Sequence, residues 1–247
     1  MKCHYAGWTD TGNVRAVNQD AYYIDPEGRF FIVADGMGGH AGGQEASQIA
    51  TQTIQTYLET HWQSASASPE LLNDAFLAAN DAIVQDQQDH PERADMGTTA
   101  VVILFREPDQ PWCGNIGDSR LYRMRGEDLE QISQDQTWVA QAVANQLLTP
   151  EDARIHPWRH ILSQCLGRAD AIDVEIIPVE VQPEDHFLLC SDGLTEELSD
   201  GQIAKHLNGV EDYETTAKEL VEAAKTEGGR DNITVVVVGI ESETQLP

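Results

Sequence analysis

Basic residues are scarce. Against 42 acidic side chains stand only 15 Lys and Arg among 247 residues, a formal net charge of −27. Affinity for nucleic acid comes largely from Lys and Arg neutralising phosphates, so this composition excludes DNA, RNA and anionic membranes as partners. Long apolar runs are missing too: VVVVGI near the C-terminus falls far short of a membrane span. The start, MKCHYAGWTD, lacks the apolar core of a signal peptide. Cys3, Cys113, Cys165 and Cys190 are scattered with no C-x-x-C pair, which excludes a zinc knuckle or a disulfide framework and suits reduced thiols in a cytoplasmic protein.

Several catalytic signatures are absent as well. The residues six positions after the cysteines are Thr9, Ser119, Ala171 and Glu196, so no C-x5-R phosphatase loop exists. G-x-S-x-G and G-x-x-x-x-G-K-[ST] do not occur. His156 and His160 lie four apart but lack the glutamate of H-E-x-x-H, and structural roles are expected for both.

What is present is a folded chain: 40% hydrophobic residues, no low-complexity tract and no interdomain linker. AYYID (21–25) and RFFIVA (29–34) suggest a hairpin around a Pro-Glu-Gly turn. Ala46, Ile49, Ala50, Thr53, Ile54, Tyr57 and Leu58 form the apolar stripe of a helix, and Ser68-Pro69-Glu70 caps a second one. TTAVVILF (98–105), WCGNIG (112–117), RLYRMR (120–125) and LEQIS (129–133) read as strands spaced closely enough for antiparallel meanders. Strands recur at AIDVEIIPVE, HFLLCS and NITVVVVGI, with a helix pair at about 199–208 and 213–226. The order of strands, helix pair, strands, helix pair and strand points to two sheets, each with a helix pair.

Four aspartates stand where a strand meets a turn: Asp35 in FFIVADG, Asp118 in GNIGDS, Asp192 in LLCSDG and Asp231 in GGRDNITVVVV. Singly, each is an ordinary turn former. Three end strands and one begins a strand, so an antiparallel arrangement can gather all four at one edge. Bare, they repel: two unit charges about 4 Å apart cost roughly 4 kcal/mol at an effective dielectric near 20. A divalent cation reverses that, and an all-oxygen ligand set suits Mg²⁺ or Mn²⁺ better than zinc. Gly36 would turn the backbone so that its carbonyl joins them. Asp20, in VRAVNQD, is a fifth candidate that reads equally well as a surface turn residue. Arg15 offers a planar fork for a phosphate, or a surface salt bridge. His40, just past Asp35, can serve as a proton donor.

FFIVADGMGGHAGG also fits the dinucleotide fingerprint G-x-G-x-x-A. That motif needs a helix and then a parallel strand, with an acid about 20 residues on. Here Glu59 sits at that distance inside the first helix, a second helix follows, and Asp35 would face the pyrophosphate. The cation reading prevails.

With these residues assembled, the chain resembles the bacterial branch of the metal-dependent Ser/Thr protein phosphatases, the PPM or type 2C family. The motifs GNVRAVNQDA, FFIVADGMGGHAGG, ADMGTTAVV, GNIGDSRLYR, LLCSDGLTEEL and GGRDNITVVVV span nearly the whole chain in the family's order. The resemblance implies an α+β fold, a four-layer α-β-β-α sandwich of two antiparallel sheets with a binuclear metal site at the sheet edge. It implies one phosphatase domain over 1–240, a flap at about 133–167 and a frayed tail at 241–247. Asp35 then bridges two Mg²⁺ or Mn²⁺ ions and Gly36 gives its carbonyl to one. Asp192 and Asp231 complete the first site, Asp20 serves the second, and Asp118 with Asp192 resembles the third site of bacterial members. Arg15 corresponds to the phosphate-binding arginine and His40 to the general acid.

The expected reaction is hydrolysis of phosphoserine or phosphothreonine by a metal-bridging hydroxide without a phosphoenzyme. Phosphorylated proteins are the expected partners and a monomer the expected state. HPWRHILSQCLGR is similar to a cyanobacterial PphA-type subgroup, which makes the phosphorylated signalling protein PII a candidate substrate. Gln136 stands where many members have histidine, and Gln19 replaces an acid of eukaryotic members, which places more weight on Asp20. The competing reading is a non-catalytic pseudophosphatase module, which would have lost a metal aspartate or the arginine; all are present.

Overall fold

Runs of apolar residues buried on both faces build the centre of each sheet, and strands of mixed burial form the edges. The computed structural model describes residues 2–39, 42–107 and 110–241, with the backbone alone at Pro150 and Arg154. The chain opens with β1 (Cys3–Asp10), β2 (Asp20–Ile24) and β3 (Phe30–Met37), followed by the helices α1 (Gly42–His61) and α2 (Ser68–Asp89). Next come β4 (Gly97–Thr98), β5 (Ala100–Leu104), β6 (Trp112–Ile116), β7 (Arg120–Arg125) and β8 (Asp128–Gln131). Two short helices, α3 (Trp138–Ala144) and α4 (Pro150–Ile155), precede β9 (Glu175–Pro178) and β10 (His186–Cys190). The chain closes through α5 (Asp192–Thr195), α6 (Asp200–Leu207), α7 (Tyr213–Glu227) and β11 (Ile233–Ile240).

One sheet has the order β1-β11-β10-β7-β8 and the other β2-β3-β5-β6-β9, with β4 pairing β3. The pairings are antiparallel. Alternation along single strands assigns side chains to layers, because successive Cβ atoms point to opposite faces. Phe30 and Ile32 pack with Ala50, Ile54, Leu72 and Phe76 under α1 and α2. Phe31 and Val33 meet Phe187, Leu189, Val236 and Val238 between the sheets. Leu188, Val235 and Val237 pack with Ile203, Leu220 and Val221 under α6 and α7. Three apolar layers separate four layers of backbone, which is the expected sandwich.

Two local expectations are corrected. β6 and β7 do not form a meander: β6 belongs to one sheet and β7 to the other. The intervening Gly117-Asp118-Ser119 crosses between sheets, with Gly117 at φ +100°. Ser68 does not cap α2, whose N-cap is Ala67. Its Oγ instead donates to the Glu107 carboxylate at 2.6–2.7 Å. Residues 242–247, most of the expected tail, lie outside the described residues. No helix among the described residues is long and apolar enough to cross a membrane.

Candidate metal centre

Register brings the first two carboxylates together. Asp20 opens β2 and stands directly opposite Asp35 of β3. Like charges directly opposite on a sheet repel, so this pairing needs a compensating partner. Asp35 does not end its strand as expected, because β3 continues through Gly36 to Met37 and pairs there with β4. Gly36 is therefore required for close approach rather than for a turn. A Cβ there would lie 1.9 Å from the Gly43 carbonyl oxygen and 2.6 Å from that of Gln19. The same holds after Asp192, where a Cβ on Gly193 would sit 1.9 Å from the Asn232 carbonyl oxygen.

The other aspartates come from the opposite sheet and from the link between sheets. Asp192 is the first residue of α5, directly after β10, and Asp231 lies just before β11. Asp118 occupies the sheet-crossing link. Their charges converge on Asp35, whose carboxyl is held well above the usual carboxylate range by burial and then by Asp20, Asp192, Asp118 and Asp231. Asp192 is raised in the same way, by burial and then by Asp118, Glu196 and Asp231. Burial and the Asp135 charge push Asp118 up to about 7, against the pull of Arg120. Asp20 rises to about 6, burial outweighing the hydroxyls that bind it.

Those hydroxyls identify residues that motif reading passed over. Asp20 Oδ2 accepts from Ser191 Oγ at 2.8 Å and Thr234 Oγ1 at 2.7 Å, the first just past β10 and the second in β11 of the far sheet. Asp20 Oδ1 is buried without a hydrogen-bond partner. A buried bare carboxylate oxygen costs a few kcal/mol, about 1–3 at the least, unless a cation takes it. Thr99 Oγ1 receives the Asp35 N–H at 3.0 Å, and Thr98 Oγ1 donates to the Asp35 carbonyl at 2.8 Å. Asn232 pins the loop that carries Arg15, donating to Thr11 and Val17 carbonyls at 3.0 Å and accepting the Gln19 N–H at 2.8 Å. An oxygen-only donor set with one oxygen unpaired and several carboxyls driven towards protonation fits hard divalent cations.

Arg15 Nη2 contacts Asp231 Oδ2 at 2.5 Å, with its side chain half exposed. That bond, then Asp231, Asp35 and Asp192 as charges, holds the guanidinium firmly protonated against its partial burial. Of the two readings of Arg15, the structure shows the salt bridge, and its partner belongs to the acidic cluster. His40 lies outside the described residues.

The segment expected to form the flap adjoins this cluster through Gly117 and Arg120. Gln136 exchanges two bonds with Gly117, its N–H donating to the carbonyl at 2.8 Å and its Oε1 accepting the N–H at 3.0 Å. Asp135 forms a two-pronged pair with Arg120 at 2.6 and 2.8 Å. His156 and His160 share no helix, since α4 ends at Ile155. His160 Nδ1 lies 2.7 Å from Glu196 Oε1, and His160, Asp192 and Glu196 present ligand atoms within 4.8 Å of one another.

Known proteins carry the same plan. Residues 13–235 match the family model described as Protein phosphatase 2C. The chain is 36% identical over 239 residues to the serine/threonine protein phosphatase PstP of Mycobacterium tuberculosis, covering 96% of this chain and 45% of PstP. It is 34% identical over 239 residues to the protein phosphatase PhpP of Streptococcus pneumoniae, covering 95% of this chain and 96% of PhpP. It therefore spans less than half the length of the first relative and nearly all of the second. A crystal structure of Mycobacterium tuberculosis PstP superposes with a TM-score of 0.88 at 36% identity, covering 97% of this chain and 99% of that one. The PstP catalytic domain in complex with two manganese ions superposes with a TM-score of 0.86 at 33% identity, covering 97% and 99%. With five aspartates drawn together from both sheets and the link between them, and this match along its length, the chain belongs to the protein phosphatase 2C family.

Proposed function

We propose that the chain is a metal-dependent phosphatase that hydrolyses phosphoserine and phosphothreonine in proteins directly, without a phosphoenzyme. The carrying observation is the convergence of Asp20, Asp35, Asp118, Asp192 and Asp231 with one buried Asp20 oxygen left bare. In this reading Asp35 bridges two Mg²⁺ or Mn²⁺ ions and the Gly36 carbonyl joins one of them. Asp192 and Asp231 complete the first site, Asp20 serves the second, and Asp118 with Asp192 holds a third. When bound, such ions lower the pKa of water and neutralise phosphoryl oxygens.

The chain's own groups do the rest. Arg15 exchanges the Asp231 oxygen for phosphate oxygens, and its fork then orients the phosphoryl group. Ser191 and Thr234 fix the Asp20 carboxylate, so that its free oxygen keeps one direction. His40 protonates the departing Ser or Thr oxygen. A narrower substrate, phosphorylated PII, rests on the PphA-type stretch HPWRHILSQCLGR. A single domain over 1–240, acting as a cytoplasmic monomer, completes the reading.

EDTA should abolish hydrolysis of p-nitrophenyl phosphate and of a phosphothreonine peptide, and Mn²⁺ should restore both. Activity without metal, or full activity in Asp192→Ala, overturns the mechanism. Mn²⁺ binding without turnover would favour the pseudophosphatase.

A further inference from the structure

Large apolar side chains are exposed at nine described positions, and five of these fall within 138–161: Trp138, Leu147, Ile155, Trp158 and Ile161. Exposed apolar residues scattered singly are ordinary, but a concentration in one segment marks an interaction site. Here the concentration has a specific form. Trp138 and Trp158 meet edge to face with ring centroids 5.0 Å apart. His156 joins both, 5.1 Å from Trp138 and 5.7 Å from Trp158. Its Nδ1 accepts the Trp158 backbone N–H at 3.1 Å, which fixes the ring against the indole that follows. Two indoles and an imidazole thus form an aromatic platform whose most exposed member, Trp158, is 52% exposed.

Position ties the platform to the acidic cluster. Trp138 is two residues beyond Gln136, which is bonded to Gly117 beside Asp118. Trp158 is two residues before His160, which contacts Glu196. Trp138 N–H donates to the Ile161 carbonyl at 2.8 Å, and Thr137 bridges Leu162, so both anchors and both indoles share one base. Two residues span at most about 7 Å, which bounds the backbone separation of each indole from its anchor. A substrate side chain a few positions from a phosphoresidue bound at the aspartates therefore reaches the platform.

Charge selects the occupant. The protein carries −27, and Glu151 and Asp152 sit exposed on the neighbouring α4. The adjacent cation, Arg159, lies 3.7 Å from Glu196. Indole faces attract cations through the ring quadrupole, and an acidic surround strengthens that attraction. The geometry points to this platform as a docking site for an arginine of the phosphoprotein substrate, two to four residues from the phosphorylated one. The inference rests on the phosphatase reading and specifies which substrates it takes.

The test uses the full chain with Mn²⁺ and phosphothreonine peptides that differ at one such position: arginine, its neutral isostere citrulline, or leucine. Wild-type kcat/KM should favour arginine over citrulline roughly five- to thirtyfold, mainly through KM. Trp158→Ala should erase the preference, and Trp158→Phe should keep part of it. Both variants should hydrolyse p-nitrophenyl phosphate like wild type, which reports an intact centre. No arginine preference in wild type, an equal preference in Trp158→Ala, or a preference for leucine overturns the inference. So does a wild-type dimer that Trp158→Ala converts to monomer, because the platform would then be an interface between copies. Loss of p-nitrophenyl phosphate hydrolysis in wild type would instead sink the phosphatase reading.

Discussion

At the scale of single residues, Asp20 is a candidate ligand whose two oxygens are treated differently by the fold. One oxygen is held by two hydroxyls and the other is left bare. Asp20→Asn keeps an amide oxygen for Ser191 and Thr234 but removes the charge facing Asp35. The variant should therefore melt higher than wild type without metal, while calorimetry shows Mn²⁺ binding weakened by roughly tenfold or more. Unchanged Mn²⁺ affinity would remove Asp20 from the centre. Asp35, Asp118, Asp192 and Asp231 were legible because each adjoins a glycine or asparagine at the edge of an apolar run. Their supports were not. Ser191 lies 171 positions from Asp20 and Thr234 lies 214 away, and each sequence context is an unremarkable hydroxyl beside an apolar strand. Only cross-sheet packing gives them meaning.

Among the elements, strand and helix identities followed from period and length, and the helix pairs emerged where apolar stripes predicted them. The β6–β7 link did not. Gly117-Asp118-Ser119 has the composition of a hairpin turn, and no local signal separates a turn within a sheet from a step between sheets. α5 is a single turn, too short to show a helical period. Gly36 illustrates the same limit, because its need arises from α1 packing against β3 and not from its own backbone angles. In Gly36→Ala the new methyl meets the Gly43 carbonyl at 1.9 Å, backbone against backbone. We expect a loss of about 3 kcal/mol or more, a Tm drop of roughly 6 to 12 °C in thermal melts. A wild-type Tm would show that β3 and α1 can separate freely.

For the molecule as a whole, the crowded carboxyls make stability a function of pH and metal together. Folding raises Asp20 to about 6 and Asp118 to about 7 from an ordinary 3.8, burial being the first cause. Between those limits the folded chain holds more protons than the unfolded one, so metal-free stability falls as pH rises through the window. His186, pushed down by burial, opposes this with a single group. Asp25 and Glu197, held low mainly through their arginine partners Arg29 and Arg230, lose their contribution only at more acidic pH. In EDTA the Tm should therefore be lower at pH 8 than at pH 5. Saturating Mn²⁺ should reverse the order, since ligands must be deprotonated to bind. The same order with and without Mn²⁺ would contradict the site.

The step of the chain from β6 to β7 gives the cluster its mechanical character. Asp20 and Asp35 ride on one sheet, Asp192 and Asp231 stand just past β10 and just before β11 of the other, and Asp118 sits on the strap between them. Apart from that edge, the sheets meet through side chains such as Phe31, Val33, Leu189 and Val236, which tolerate sliding better than a fixed set of oxygens does. A cation held by this set would act as a rivet, and the spacing of the carboxylates is a gauge of how the sheets are aligned. Changes deep in that apolar seam, far from any aspartate, should therefore register as an altered affinity for Mn²⁺.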